Sequence, residues 1–347
     1  MKYIVQNSQN TNKMDTRFGT ISNQEEQVIS KLGFLYSIFV KNHVPPFYSK
    51  KSINTLNNNS ITLPKTKEVK SQNNDVILVA NVPDYISVQL ELNGSKVKCK
   101  EVRQYKGYLV YLKDVLDSKA YLTEQLSKRN IKNLFAKQRK LERNHNISYT
   151  FHYGDITEEH YDFLFSEFYN ILKNRFLEKQ MYNNNLLNWK YYYDLAYPMI
   201  LEKKASLFAI YDGERPITLT LNFHLNDIVF SYIQSYDINY SAYNMGDISM
   251  LKHIEWCKKN NFSVFDLAMG QTDYKLKWCN HIYNYEHHIF FNSQSLFSRI
   301  KALVLQNKLS LRQYLRDKEI IGKKFQMDKF IFKRRVKQLT NFDWKGS

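Results

Sequence analysis

The chain has 347 residues, longer than one average domain, and its 43% hydrophobic and 15% aromatic content excludes wholesale disorder. A formal net charge of +17 calls for an anionic partner (nucleic acid, a lipid surface, or a phosphate-bearing cofactor or carrier), although an excess of Lys also serves plain solubility. No apolar run reaches the roughly 18 residues of a membrane span, and no signal-peptide core opens the chain, so a cytoplasmic location is expected.

Residues 1 to about 75 are polar, with one short amphipathic helix expected around Leu32, Phe34, Leu35, Ile38 and Phe39, and a long loop over 52–74. Strand-like runs follow at Val76 to Ala80, Ile86 to Leu92 and Tyr108 to Leu112, with Asn93-Gly94 as a hairpin signal. From Leu116 to Asn144 one long helix is expected, its later part rich in Lys and Arg against the single acid Glu142. A phosphate-binding face and an ordinary solvated face are both open for it. Thr157 then reads as the N-cap of a second helix running to about Lys179.

The next segment is more regular. Ala205 to Tyr211, Ile217 to His224 and Ile228 to Tyr236 read as three strands joined by tight turns at Asp212-Gly213-Glu214 and Asn226-Asp227, an antiparallel meander. After the loop containing Asn244-Met245-Gly246, an amphipathic helix is expected from Asp247, as N-cap, to about Lys259. A short strand from Ser263 to Leu267, a helix from Asp273 to Trp278 and a last strand near Glu286 to Phe291 complete the pattern. Cys99, Cys257 and Cys279 lie far apart, with no CxxC pair or neighbouring His at ligand spacing, so neither a disulfide framework nor a metal is expected. Cys257 reads as a small core hydrophobe.

The string from Phe265 to Trp278, with Asp266, Gly270, Tyr274-Lys275 and Trp278, resembles the signature of the BioF2-like and CelD-like acetyltransferases of the GNAT superfamily, relatives of the Fem-type transferases. Gly213 to Ile217, the approach from Tyr236-Asp237 to Gly246, and the basic stretch 127–143 resemble other parts of the same family, so the likeness covers roughly 120–295. Asn244-Met245-Gly246 stands where the family has a Ser-Pro-Gly-like tripeptide, and the pyrophosphate motif of the wider superfamily is absent. The resemblance implies an α/β (α+β) fold: a mixed, mostly antiparallel sheet flanked by helices, either single or a tandem with a degenerate N-terminal half. It divides the chain into an N-terminal domain over 1–115, an acyltransferase domain over 116–298 and a basic helical extension over 299–347.

What the family does implies an acyl-CoA or acetyl-CoA donor, bound by Tyr236, Asn244, Met245, Gly246, Asp247, Ile248 and Ser249, with the helix N-terminus aimed at the donor's phosphates. Asp266 is then expected to take the amine proton or orient a hydroxyl, Tyr274 to protonate the leaving group and Lys275 to hold an anion. Each also has an ordinary alternative, as a turn cap, half-buried packing and a surface charge. His224 could face the cleft, His287-His288 cannot ligate a metal by themselves, and Trp189 with Tyr191 to Tyr193 either lines an acceptor site or packs a helix. The basic tail, including Lys323-Lys324 and Lys333-Arg334-Arg335, is a further candidate for tRNA, an acyl carrier protein or an anionic leaflet. Three functions compete: N-acyl transfer from acyl-CoA to an amine of a small molecule, sugar or envelope precursor; a Fem-like transfer from aminoacyl-tRNA; and a noncatalytic module for nucleic acid or membrane.

Overall fold

The computed structural model describes residues 76–86, 97–321, 332–334 and 344–345. The helix expected near Leu32, the 52–74 loop, the Asn93-Gly94 hairpin, most of the Ile86 to Leu92 strand and most of the basic tail fall outside them. In chain order the elements are β1 (Val76–Pro83), β2 (Val97–Tyr111), α1 (Ser118–Gln125), α2 (Lys128–Asn144), β3 (Ile147–His152), α3 (Glu158–Glu178), α4 (Asn184–Leu187) and α5 (Trp189–Leu201). Then come β4 (Ala205–Asp212), β5 (Arg215–Leu225), β6 (Ile228–Tyr236), a 3-10 turn (Ile238–Tyr243), α6 (Met245–Lys259), β7 (Val264–Met269), α7 (Asp273–Trp278), β8 (His281–Asn292) and α8 (Leu296–Asp317).

Eight strands make one sheet in the order β1-β8-β2-β7-β6-β5-β4-β3. Every pairing in it is antiparallel except β6 with β7. This is the mixed, mostly antiparallel architecture flanked by helices that the resemblance implied. β2 hydrogen-bonds both β7 and β8, so the 97–111 segment shares a sheet with the 264–292 segment.

Local chemistry explains the elements. The β4–β5 turn needs Gly213 at φ +60, and Asn226 at φ 52 serves the β5–β6 turn, both in the left-handed region that Gly and Asn enter most cheaply. Ser127 Oγ caps α2 by accepting from Asn130 N, and this cap divides the expected long helix into α1 and α2. Thr157 caps α3 as expected, accepting from His160 N. Along α3, Tyr161, Leu164, Phe165, Phe168, Tyr169, Ile171 and Leu172 are buried, a 3.6-residue stripe that packs α3, α4 and α5 on one face of the sheet. A second apolar cluster seats α1, α2, α6 and α7. Trp189 belongs to the first cluster, with Nε1 donating to the Phe165 carbonyl, and Tyr192 meets Tyr232 there, so these aromatics pack a helix rather than line an open site.

Candidate functional site

β6 and β7 pair over three positions only, Ile228 with Val264, Val229 with Phe265 and Phe230 with Asp266. Beyond them Gln234 of β6 pairs with Thr220 of β5, while Met269 of β7 pairs with Gly107 of β2. The two strands therefore diverge, and a notch opens between them. A cavity of about 50 Å³ at the notch is lined by the polar Ser231, Gln234, Ser249, His253, Tyr274 and Lys275 and by the apolar Met250, Phe265 and Leu267. It has room for about four water-sized groups.

Lys275 and Asp266 meet at the end of β7. Ala268 has φ 60, and Asp266 Oδ1 supports that bend by accepting from Ala268 N at 2.6 Å. The bend turns the carbonyls of Ala268 and Met269 to Lys275 Nζ, at 3.4 and 2.5 Å. Burial lowers the Lys275 pKa to about 8, with Asp266 acting the other way. Asp266 is fully buried, accepting from the Tyr283 hydroxyl at 2.7 and 2.9 Å and from the Tyr85 hydroxyl. Burial raises its pKa, and the hydrogen bonds from both tyrosines and from Ala268 N oppose the rise. Asp266 is thus enclosed and offers no exposed oxygen at the notch, while its charge acts on the Lys275 ammonium.

Sequence reasoning missed Tyr85, Tyr283 and the residue that admits Tyr283. A Cβ at Gly107 would stand 2.1–2.5 Å from the Tyr283 ring, so the absence of a side chain there lets the ring cross β2 to Asp266.

The expected donor-binding residues gather at the start of α6. Asn244, at φ 56 and ψ 50, is the N-cap without a side-chain cap bond, so Asp247 is a first-turn residue and not the cap. Asp247 Oδ1 accepts from Trp278 Nε1 at 2.8 Å and Oδ2 from Lys277 Nζ at 2.6 Å. These bonds tie α7 to α6 and partly neutralise the carboxylate that would oppose an approaching phosphate. The Tyr274 hydroxyl donates to the Gly246 carbonyl at 2.8 Å, and burial together with the Asp247 charge raises its pKa, keeping the phenol protonated. Met245 and Ile248 are buried in the second core cluster, so they shape the helix start rather than offer side chains to a ligand. Ser249 Oγ accepts from Gln234 Nε2 at 2.9 Å. Tyr236 carries the Arg175 guanidinium 4.1 Å over its ring, and Arg175 of α3 is a cation at this end of β6 that the sequence did not single out.

From the cavity wall at His253 a polar chain runs back under α6. His253 Nδ1 donates to the Ser249 carbonyl at 2.7 Å, which leaves Nε2 to accept from Asn222 Nδ2 at 3.1 Å. Asn222 also donates to Ser206 Oγ at 3.2 Å, and Ser206 meets His224 Nε2 at 2.9 Å. Burial lowers the pKa of His253 to about 4 and of His224 to about 3, so both rings are neutral at pH 7. His224 thus sits in the core behind the cleft and does not line it.

Two other groupings lie away from the notch. Tyr211 OH meets His152 Nε2 at 3.2 Å and His160 Nε2 at 3.1 Å in an open groove of about 480 Å³ beside the edge strand β3. Across β2 and β8, Cys99, Glu101 and a ring nitrogen of His288 bring their ligand atoms within 4.8 Å, a juxtaposition that spacing along the chain did not disclose.

Residues 128–276 match the family model described as an acetyltransferase (GNAT) domain. No curated protein matches the chain. Among solved structures, a conserved protein of unknown function from Bacteroides thetaiotaomicron VPI-5482 is similar at 12% identity and a TM-score of 0.39, with 57% of this chain and 63% of that one covered. L-PGS from Bacillus licheniformis is similar at 11% identity and a TM-score of 0.38 (61% and 67% covered), and FemX at 6% and 0.40 (53% and 61% covered). The chain thus spans about three fifths to two thirds of the length of these structures.

Proposed function

Residues 128–276 carry a GNAT-type acetyltransferase domain, and on that premise we propose that the protein is an N-acyltransferase that moves a short acyl group from acyl-CoA to an amine of a sugar or cell-envelope precursor. The observation that carries this reading is the β6–β7 notch, where Lys275, Tyr274 and Ser249 of α6 line one small cavity. The cavity's size suits an acetyl group better than a long chain. The amine nitrogen attacks the thioester carbonyl, a C–N bond forms and the C–S bond breaks. Lys275, with a pKa near 8, has a neutral fraction at neutral pH that takes the proton from nitrogen. Tyr274, held protonated, supplies a proton to the departing sulfur, so the net transfer is from nitrogen to sulfur and solvent resets both groups. Asp266 is a positioning residue, acting through Lys275 and the Ala268 bend. The start of α6, from Asn244 to Ser249, faces the donor's phosphates, with Arg175 and Lys277 as nearby cations.

Thermal melting with acetyl-CoA, a longer acyl-CoA and free coenzyme A tests the reading, since a ligand of the native state alone raises the melting temperature by mass action. A clear upward shift with acetyl-CoA is expected. No shift with any of the three would overturn the coenzyme A donor.

A second reading, transfer from aminoacyl-tRNA, draws on α2, where Lys128, Arg129, Lys132, Arg139, Lys140 and Arg143 are exposed. It predicts tRNA binding that weakens steeply with ionic strength and no response to coenzyme A.

A further inference from the structure

Helix α8 packs on β1, β2 and β8 through Ser298, Ala302 and Leu309, yet its opposite side is also apolar. Phe297 is 68% exposed, Val304 62%, Leu311 59% and Ile300 51%. At about 100° per residue these four fall within roughly 60° of one another, and exposed Leu296, Leu303 and Tyr314 widen the arc to about 120°, in which Asn307 is the one polar side chain. Such a face costs solubility and marks a contact surface when it is continuous. Lys301, Lys308 and Arg312, all exposed, follow one border of the arc. The helix holds five Lys and Arg against one acid, Asp317.

Charge decides what covers this face. A second copy of the chain would bring the same basic border against itself. The segment 1–75, with ten Lys and Arg against five Asp and Glu, is also net basic and complements it poorly. An anionic bilayer offers what α8 lacks, apolar depth for the arc and phosphates for its border. The helix is too charged to cross a membrane, and no helix among the described residues is long and apolar enough to do so. We infer that α8 lies in the plane of an anionic lipid surface, with Phe297, Ile300, Val304 and Leu311 bedded among acyl chains and Lys301, Lys308 and Arg312 on headgroup phosphates. This surface is separate from the notch and does not depend on the donor proposed there.

Flotation of the full chain with phosphatidylcholine vesicles, with and without phosphatidylglycerol, tests the inference. The expected result is binding at least about tenfold stronger to the anionic vesicles. An Ile300→Glu/Val304→Glu/Leu311→Glu variant loses that binding by a similar factor while its lipid-free melting temperature stays put. A Lys308→Glu/Arg312→Glu variant loses the preference for anionic lipid. The inference is overturned if the unmodified chain does not float, or if the apolar variant floats as well as the unmodified chain, since charge elsewhere would then explain binding. Lipid-free dimers that the apolar variant abolishes would assign the face to a second copy. A large drop in that variant's melting temperature would assign it to packing within the chain.

Discussion

Lys275 is where the site's chemistry is most exposed to experiment. In the proposed mechanism its neutral form takes the proton, so the rate of acyl transfer should rise with pH and level off above about 8. Lys275→Met should lower kcat by about 10²–10³ and remove that limb of the profile, and a retained limb would sink the role. Gly107 offers a test of the buried support beneath it. Gly107→Ala drives a methyl into the Tyr283 ring and pulls a phenol from Asp266, so a loss of about 3 kcal/mol of stability is expected in urea unfolding. A neutral result would mean that Tyr283 can leave Asp266 freely. The residues at this site divide by how far apart in sequence their partners lie. Asp266, Tyr274 and Lys275 stand together in one readable string. Tyr85 reaches Asp266 from 181 positions away, and no local pattern announces such a partner.

Among elements, the meander was legible because its turns are marked by Asp212-Gly213-Glu214 and Asn226-Asp227, residues with a physical reason to turn. β3 was not, because Ile147–His152 is an edge strand that is mostly half-buried on both sides and carries no clean alternation. The α1–α2 break is marked by a phase slip, since Leu122 and Leu126 are four residues apart but Ile131 follows five after Leu126, half a turn from Leu122 on one helix. β5 held a different difficulty. Thr218, Thr220, Asn222 and His224 alternate with apolar residues as if one face met water, yet all four are buried, Asn222 against His253 and His224 against Trp256 of α6. Burial of His224 and His253 in neutral form has a consequence for acid stability. Their folded pKa values lie below the ordinary 6.5, so the unfolded chain binds more protons as pH falls from about 6.5 to 4, and stability is lost across that window. For fully buried His253 the loss amounts to about 3 kcal/mol. His253→Gln, which cannot titrate, should flatten the fall of the urea midpoint between pH 7 and 4, and an unchanged slope would assign the acid sensitivity elsewhere.

At the scale of the molecule, two antiparallel blocks, β3 to β6 on one side and β7, β2, β8 and β1 on the other, meet along the short parallel pairing of β6 with β7. Three register partners form a narrow spine, and the notch is the gap where the covers part. A donor lodged in that gap touches both blocks, so it should act as a clasp as well as a reactant. Amide exchange along Ile228 to Phe230 and Val264 to Asp266 should then slow when acetyl-CoA is present, although none of these amides needs to touch it, and unchanged exchange would mean that the blocks move as one. If the clasp holds, turnover must also undo it, and departure of free coenzyme A, rather than making the amide, would set the pace of the cycle.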